Sequence, residues 1–377
     1  MKTLLFLLLC FPLFGVSQIL TSTTNINITK SWSQEPGGYT YPMNIEVPTG
    51  TVPANGFPIC IILHGNGGNG AGSINHFKEF LECHALVAPT GYLNCWNICA
   101  AASDAPDTEM INDLVNLLQG YSNIDPNRIR IIGTSNGAGL ANNIFIENNN
   151  TGIDIVCAIV SHLNIPQYHL GNFYRPSSSD DPLSPYCGYD SLVYPITTRK
   201  YLSISNTNDT IIPYTGGPSV VGLTFLHAER AAFYIAQNNG FIGSQLTSGT
   251  TMGSPQITEY SYLSGGVVHI KGDAGHSTNV TQRDYIKSYF SDCEPGVGGI
   301  NDYKPNKVKV YPNPTNSMIT VTGFSDQVKQ YSILNVLGQQ VLSGSITSKI
   351  THIDLSELVS NIYFLKINDQ VIKIIRD

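Results

Sequence analysis

The sequence predicts an α/β chain in two parts: a doubly wound, mostly parallel sheet covered by helices, followed by a small C-terminal β-sandwich. Three observations carry this. Apolar runs alternate with helix-periodic stretches in the first part, as expected for a parallel sheet with helices on both faces. A serine stands between glycines in Gly133-Thr134-Ser135-Asn136-Gly137, directly after the strand-like run Arg128-Ile129-Arg130-Ile131-Ile132. Beyond Cys293-Glu294-Pro295-Gly296-Val297-Gly298-Gly299 the alternation stops and only short strand-like runs follow. The expected divisions of the 377 residues are 1–17, 18–293, a linker at 294–305, and 306–377.

Taken in chain order, Met1 to Ser17 has one lysine, an apolar core from Leu4 to Phe14, and small residues at Gly15 and Ser17. This is the layout of a signal peptide, too short for a membrane anchor. Phe57 to Leu63 reads as a buried strand that empties into the glycine-rich run His64-Gly65-Asn66-Gly67-Gly68-Asn69-Gly70. Ile111, Leu114, Val115 and Leu118 recur at helix spacing between Thr108 and Gly120, and a helix rich in small residues is expected from Asn136 to Glu147. Strands follow at Ile155 to Val160, Lys200 to Ser205 and Gly266 to Ile270. Between the first two of these lies a long polar insertion crowded with Tyr168, Phe173, Tyr174, Tyr186, Tyr189 and Tyr194, which is expected to wall a cleft. The tail offers strands near Val308, Ile319, Tyr331, Gln340, Ile362 and Val371, with a hairpin turn at Asn335 to Gln339.

The serine motif has a chemical reading. A G-x-S-x-G turn after a strand is a nucleophile elbow, where the flanking positions lack side chains so that neighbouring backbone can pass. An α/β-hydrolase then needs an acid and a histidine, in that chain order, on loops at the same sheet edge. Asp209, in the polar loop Asn206-Thr207-Asn208-Asp209-Thr210, is the expected acid. His276, in Lys271-Gly272-Asp273-Ala274-Gly275-His276-Ser277, is the expected base. Asp273 competes with Asp209 and His269 with His276, but His269 lies inside an apolar strand and Asp273 only three positions before the histidine. The oxyanion of an acyl-transfer intermediate needs two N–H donors. Asn136, after the nucleophile, and Asn66, in the glycine-rich loop, are expected to supply them, with His64 and Trp96 as substrate-binding residues.

The run Gly65, Gly67 and Gly70 also satisfies G-x-G-x-x-G. A dinucleotide site would require an acidic residue at the end of the next strand, whereas His84 to Pro89 ends in Thr90 and Gly91.

From about residue 54 to 290 the chain resembles the secreted esterases of the polyhydroxybutyrate depolymerase and feruloyl esterase group. The resemblance rests on the His64-Gly65 loop, on Cys95-Trp96-Asn97, and on Ile124-Asp125-Pro126-Asn127-Arg128-Ile129 leading into the elbow. It implies a Ser135–Asp209–His276 triad, a carboxylic-ester substrate and no cofactor. A serine peptidase on the same fold, or a non-catalytic glycan-binding or adhesion protein, are the alternative expectations. The tail resembles the C-terminal sorting domain of type IX secretion substrates, through Tyr311-Pro312-Asn313-Pro314-Thr315, Asn335-Val336-Leu337-Gly338, Ile362-Tyr363-Phe364 and the end at Lys373 to Arg376. That resemblance implies the secretion machinery as partner and a secreted or surface-attached product. A carbohydrate-binding sandwich is the rival, weakened by the absence of tryptophan in the tail.

Composition fits export and excludes other classes. The formal net charge is −7 and no basic cluster occurs, so no nucleic-acid partner is expected. Later stretches lack the length and apolarity of a membrane helix. Eight cysteines, less Cys10 of the leader, leave seven, so at least one thiol stays free. Cys60 and Cys157 fall on core strands and read as buried thiols. Cys95 and Cys99 can bridge each other or other partners. The cysteine and histidine spacings match no zinc pattern, so no metal is expected.

Overall fold

The computed structural model describes residues 18–377 apart from Ala100 and residues 178–184, 292–308, 323–328, 347–349 and 368–369. The expected signal peptide, Cys293 and the expected linker therefore lie outside the described residues. The chain divides into two compact units between Val297 and Gly298.

The first unit is organised by nine strands: β1 (Met43–Glu46), β2 (Phe57–Leu63), β3 (Ala85–Pro89), β4 (Ile124–Thr134), β5 (Ile153–Ile159), β6 (Lys200–Asn206), β7 (Thr250–Met252), β8 (Ile257–Tyr262) and β9 (Val267–Gly272). Their order across the sheet is β7-β8-β9-β6-β5-β4-β2-β3-β1. The six strands from β9 to β3 are parallel, and β1, β8 and β7 run antiparallel to their neighbours. Among the described residues five α-helices accompany them: α1 (Gly70–Phe77), α2 (Asp107–Leu118), α3 (Asn136–Glu147), α4 (Ala228–Asn238) and α5 (Val280–Tyr289).

Strand β2 shows why the sheet is doubly wound. All seven of its residues are buried. Ile59, Ile61 and Leu63 join one core with apolar residues of α2, α3 and α4, whereas Cys60 and Ile62 join a second core with Ile74 and Phe77 of α1 and Ile286 of α5. A strand with period-two side chains and no polar face needs cover on both sides.

The crossovers place the functional edge. From β2 the chain passes through α1 to β3 on one side, then through α2 to β4 on the other side of β2. Strand order reverses between β2 and β4, whose ends are in register at Leu63 and Gly133. In open α/β sheets the crevice outside the carboxyl ends of the strands at such a switch point is where ligands bind. With the antiparallel first strand and this order, the unit is an α/β-hydrolase fold.

The insertion after β5 departs from a simple crossover. It carries a three-stranded antiparallel sheet of Tyr168–His169, Asn172–Pro176 and Tyr189–Val193, which the sequence pattern did not signal.

The second unit contains β10 (Lys309–Tyr311), β11 (Met318–Thr322), β12 (Lys329–Leu334), β13 (Gln340–Ile346), β14 (Ile350–Asp354), β15 (Asn361–Ile367) and β16 (Gln370–Arg376). They form a three-stranded sheet, β10-β11-β14, and a four-stranded sheet, β13-β12-β15-β16. Ile319, Val321 and Ile353 of the first share one core with Ile333, Ile346, Leu365 and Ile374 of the second, which makes this a β-sandwich. The expected turn is present: Asn335 Oδ1 accepts from the Leu337 and Gln339 amides, and Gly338 takes φ +77°.

Candidate active site

Ser135 is the first residue beyond β4 and the N-cap of α3, with φ 55° and ψ −116°. A non-glycine residue holds this conformation only when its surroundings over-determine it. Here the Ser135 amide donates to the Ile159 carbonyl of β5 at 2.8 Å, and its own carbonyl accepts from Ala138 and Gly139. The two glycines of the motif are both required for space. A Cβ on Gly133 would collide with the Gly137 carbonyl, and one on Gly137 would collide with the carbonyls of Leu63 and His64.

The relay closes across three loops. Ser135 Oγ lies 2.7 Å from His276 Nε2, and His276 Nδ1 lies 2.8 Å from Asp209 Oδ2. Asp209 follows β6 and His276 follows β9, which are adjacent parallel strands, so the two side chains emerge side by side. The Asp209 side chain is 2 % exposed and that of His276 24 %. Burial works to raise the Asp209 carboxyl, but hydrogen bonds from His276 and from the amides of Ile212 and Ile211 outweigh it and hold the carboxyl below its ordinary value. Asp209 is thus ionised at neutral pH. The competitors are elsewhere: Asp273 is exposed, and His269 is fully buried against Ser203 and Tyr214.

One residue the sequence reading missed holds the histidine loop. Asn206, at the end of β6, donates to the carbonyls of Gly275 and Ser277 at 2.8 and 2.7 Å and accepts from Gln282 Nε2 at 2.7 Å. An asparagine in a polar loop carries no sequence signal of this. Only the pairing of β6 with β9 brings the two loops together.

Asn66 and Asn136 both line the same cavity as Ser135. Asn136 opens α3, where the first amides have no intrahelical acceptor. Its side chain is committed: Oδ1 accepts from the Trp96 amide at 2.6 Å and Nδ2 donates to the Trp96 carbonyl at 3.0 Å. In the glycine-rich loop the Gly67 and Gly68 amides donate to Asn94 and Gly65.

The expectation that Trp96 and His64 touch substrate does not fit their burial, 0 % and 3 % exposed. They brace the loop after β2 and the start of α3 from within instead. Trp96 Nε1 donates to the His64 carbonyl at 2.8 Å. His64 Nε2 accepts from the Gly91 amide at 3.0 Å, which leaves the proton on Nδ1, 2.7 Å from the Gly65 carbonyl. The imidazole is therefore neutral, and burial lowers its pKa despite the Gly65 hydrogen bond.

His64 shares this state with other buried imidazoles. Burial lowers His162 to about 4 and His269 to about 3, and takes His84 well below its ordinary value. Each has a folded-state pKa below the unfolded value of roughly 6.5. Their contribution to stability is thus present above that value and is lost as pH falls toward the folded values. The melting temperature should fall steadily between neutral pH and about pH 4. An unchanged melting temperature over that range in a calorimetric series would contradict the neutral assignments.

The cavity at Ser135 measures about 320 Å³ and its apolar walls are Ile98, Ile212, Val221, Leu223 and Phe225. None of the six aromatic residues of the insertion lines it. Instead, Tyr168 packs on Phe173 at 4.8 Å and stacks on Tyr234 of α4 at 4.4 Å, and His169 lies between Tyr174 and Tyr186 at 3.9 and 3.8 Å. The expectation that they wall the cleft is corrected on this point. The segment after Asp209 does so in their place, a role its scattered apolar residues did not announce.

Cys60, Cys95 and Cys157 are free and buried, and Cys99 forms a disulfide with Cys187 rather than with Cys95. Among the described residues no helix is long and apolar enough to cross a membrane, and no group of three acidic, cysteine or histidine side chains is placed to hold a metal ion.

Residues 309–377 match the family described as secretion system C-terminal sorting domain. The tail is thus a sorting domain, and it marks the chain for export to the medium or the cell surface through the secretion machinery. Among solved structures the chain is similar to an acetyl xylan esterase from Aspergillus awamori, at 13% identity over 66% of this chain and 93% of that one, with a TM-score of 0.44. It is also similar to a Bacillus cereus carboxylesterase, at 13% identity over 67% and 95%, with a TM-score of 0.43. A phospholipase/carboxylesterase from Dyadobacter fermentans stands at 14% identity over 67% and 98%, with a TM-score of 0.43. No curated protein sequence matches the chain.

Proposed function

We propose that the exported chain is a serine carboxylic-ester hydrolase working through an acyl-enzyme, on esters of the kind found in polyesters or in feruloylated and acetylated plant polysaccharides. The observation that carries this is the Ser135–His276–Asp209 relay, with contacts of 2.7 and 2.8 Å, opening onto an apolar cavity.

In this reading Ser135 Oγ attacks the ester carbonyl carbon while His276 Nε2 takes its proton. The ionised Asp209 keeps the histidine in the required tautomer and stabilises the imidazolium. Backbone amides of Asn136 and Asn66 receive the negative charge that develops on the carbonyl oxygen. His276 then protonates the departing alcohol, and the acyl group stays on Ser135 within the apolar cavity. Water, deprotonated by His276, attacks the acyl-enzyme and releases the acid. The cavity, bounded by Ile98, Leu223 and Phe225, fits an apolar acyl group better than a charged side chain.

The test is a hydrolysis panel of short-chain aryl esters, hydroxybutyrate oligomers, acetylated and feruloylated xylo-oligosaccharides, and peptides. Turnover of esters with little cleavage of peptides is the expected result. Peptide cleavage without ester turnover would overturn it.

A further inference from the structure

The Ser135 cavity has one wall whose hold on the rest of the domain is partly covalent. Ile98, Cys99, Ala101 and Ala102 line it from the segment that joins β3 to α2. At its start this segment is tied to α3 by the two Trp96–Asn136 hydrogen bonds, and its Asn97 amide donates to Asp107 Oδ2 at 2.7 Å. Near its far end the Ala102 carbonyl accepts from Gln34. Between these points stands Cys99, bonded to Cys187, which is 88 residues away in the insertion after β5.

The backbone at both ends of this bond indicates that it holds the wall in a conformation the wall would not keep by itself. Cys99 and Cys187 have positive φ, 26° and 55°, and neither is glycine. Such backbone relaxes unless neighbouring structure prevents it. In addition, Ile98 is pressed onto α3 at Gly139, where a Cβ would come within 3.2 Å of Ile98 Cγ1. Ile98 and Cys99 share the lining of the cavity with Leu223 and Phe225 of the segment after β6, so a shift of this wall changes the space they enclose.

We propose that the Cys99–Cys187 disulfide fixes the width of the acyl cavity and so determines which acyl chains the enzyme accepts. The inference rests on the ester-hydrolase reading above. Without the bond the wall retreats from Leu223 and Phe225, and longer acyl chains gain relative to short ones.

The experiment compares the wild-type protein with Cys99→Ser/Cys187→Ser and with the single variant Cys187→Ser. Each is assayed on 4-nitrophenyl acetate, butyrate, octanoate and decanoate, and its melting temperature is recorded. The expected result is a roughly tenfold fall in the butyrate-to-decanoate ratio of kcat/KM in both variants, carried mainly by KM, since one or two methylenes in an apolar pocket discriminate by about this factor. A lower melting temperature with every ester scaled equally would show that the disulfide only stabilises the fold, and would overturn the inference while leaving the function intact. Absence of ester turnover in the wild-type protein would overturn both.

Discussion

Replacement of Ser135 by Ala is expected to lower ester turnover by about 10⁴–10⁶-fold, because the nucleophile, and with it the acyl-enzyme route, is removed while oxyanion stabilisation and binding remain. The fold should be preserved. Strain at Ser135 belongs to the backbone, which is held by the Ile159 carbonyl and by the packing of Gly133 and Gly137, not by the hydroxyl. Alanine at φ 55° retains that strain and adds no bulk. Circular dichroism and melting temperature should therefore match the wild-type protein. Retention of more than a few per cent of activity, after exclusion of contaminating esterase, would remove Ser135 from the mechanism.

Replacement of Asp209 by Asn should cost about 10⁴-fold in kcat, chiefly because an amide cannot fix the histidine tautomer or stabilise the imidazolium. The effect is expected in kcat more than KM, since Asp209 makes no contact with the cavity. Asn retains an oxygen for the Ile211 and Ile212 amides, now 2.8 and 2.9 Å from Asp209 Oδ1, so the loop should hold its shape. Asp273→Asn is the internal control. That carboxylate is exposed and its loop uses only the backbone carbonyl, which accepts from Asn208. A larger loss from Asp273→Asn than from Asp209→Asn would reassign the acid.

Much of this site was legible in the sequence because its parts are constrained locally. A serine that must sit at a strand-to-helix turn under positive φ, with backbone passing within contact of the positions two before and two after it, leaves glycines at those offsets. Acid and base must each follow a strand on the same edge, so an apolar run followed by a polar loop marks them. The sandwich of the tail was legible for a similar reason, since short strands and turn residues recur along it, whereas its sorting role was carried only by the resemblance of runs such as Tyr311-Pro312-Asn313-Pro314-Thr315 to that family.

The cavity was not legible, because its walls come from segments that share no pattern. Ile98 belongs to the connection after β3, and Ile212, Leu223 and Phe225 to the connection after β6. A cluster of tyrosines drew attention to the wrong segment, since aromatic composition does not distinguish rings that face a ligand from rings that stack on each other, as Tyr168 and Tyr234 do. Edge strands β7 and β8 were likewise unmarked, half-buried and polar along part of their length.

The amino-acid sequence by itself determined the fold class, an α/β part followed by a β-sandwich, and it singled out Ser135, Asp209 and His276, which the fold brings within hydrogen-bond distance of one another. These depend on residue type and backbone conformation over a few consecutive residues. Tertiary structure decided which cysteine bonds Cys99, that Trp96 and His64 brace the loops from within, that Asn206 holds the histidine loop, and which side chains bound the cavity. Each of those is a relation between segments tens of residues apart, set by strand order and the packing of both sheet faces, and no local pattern encodes it.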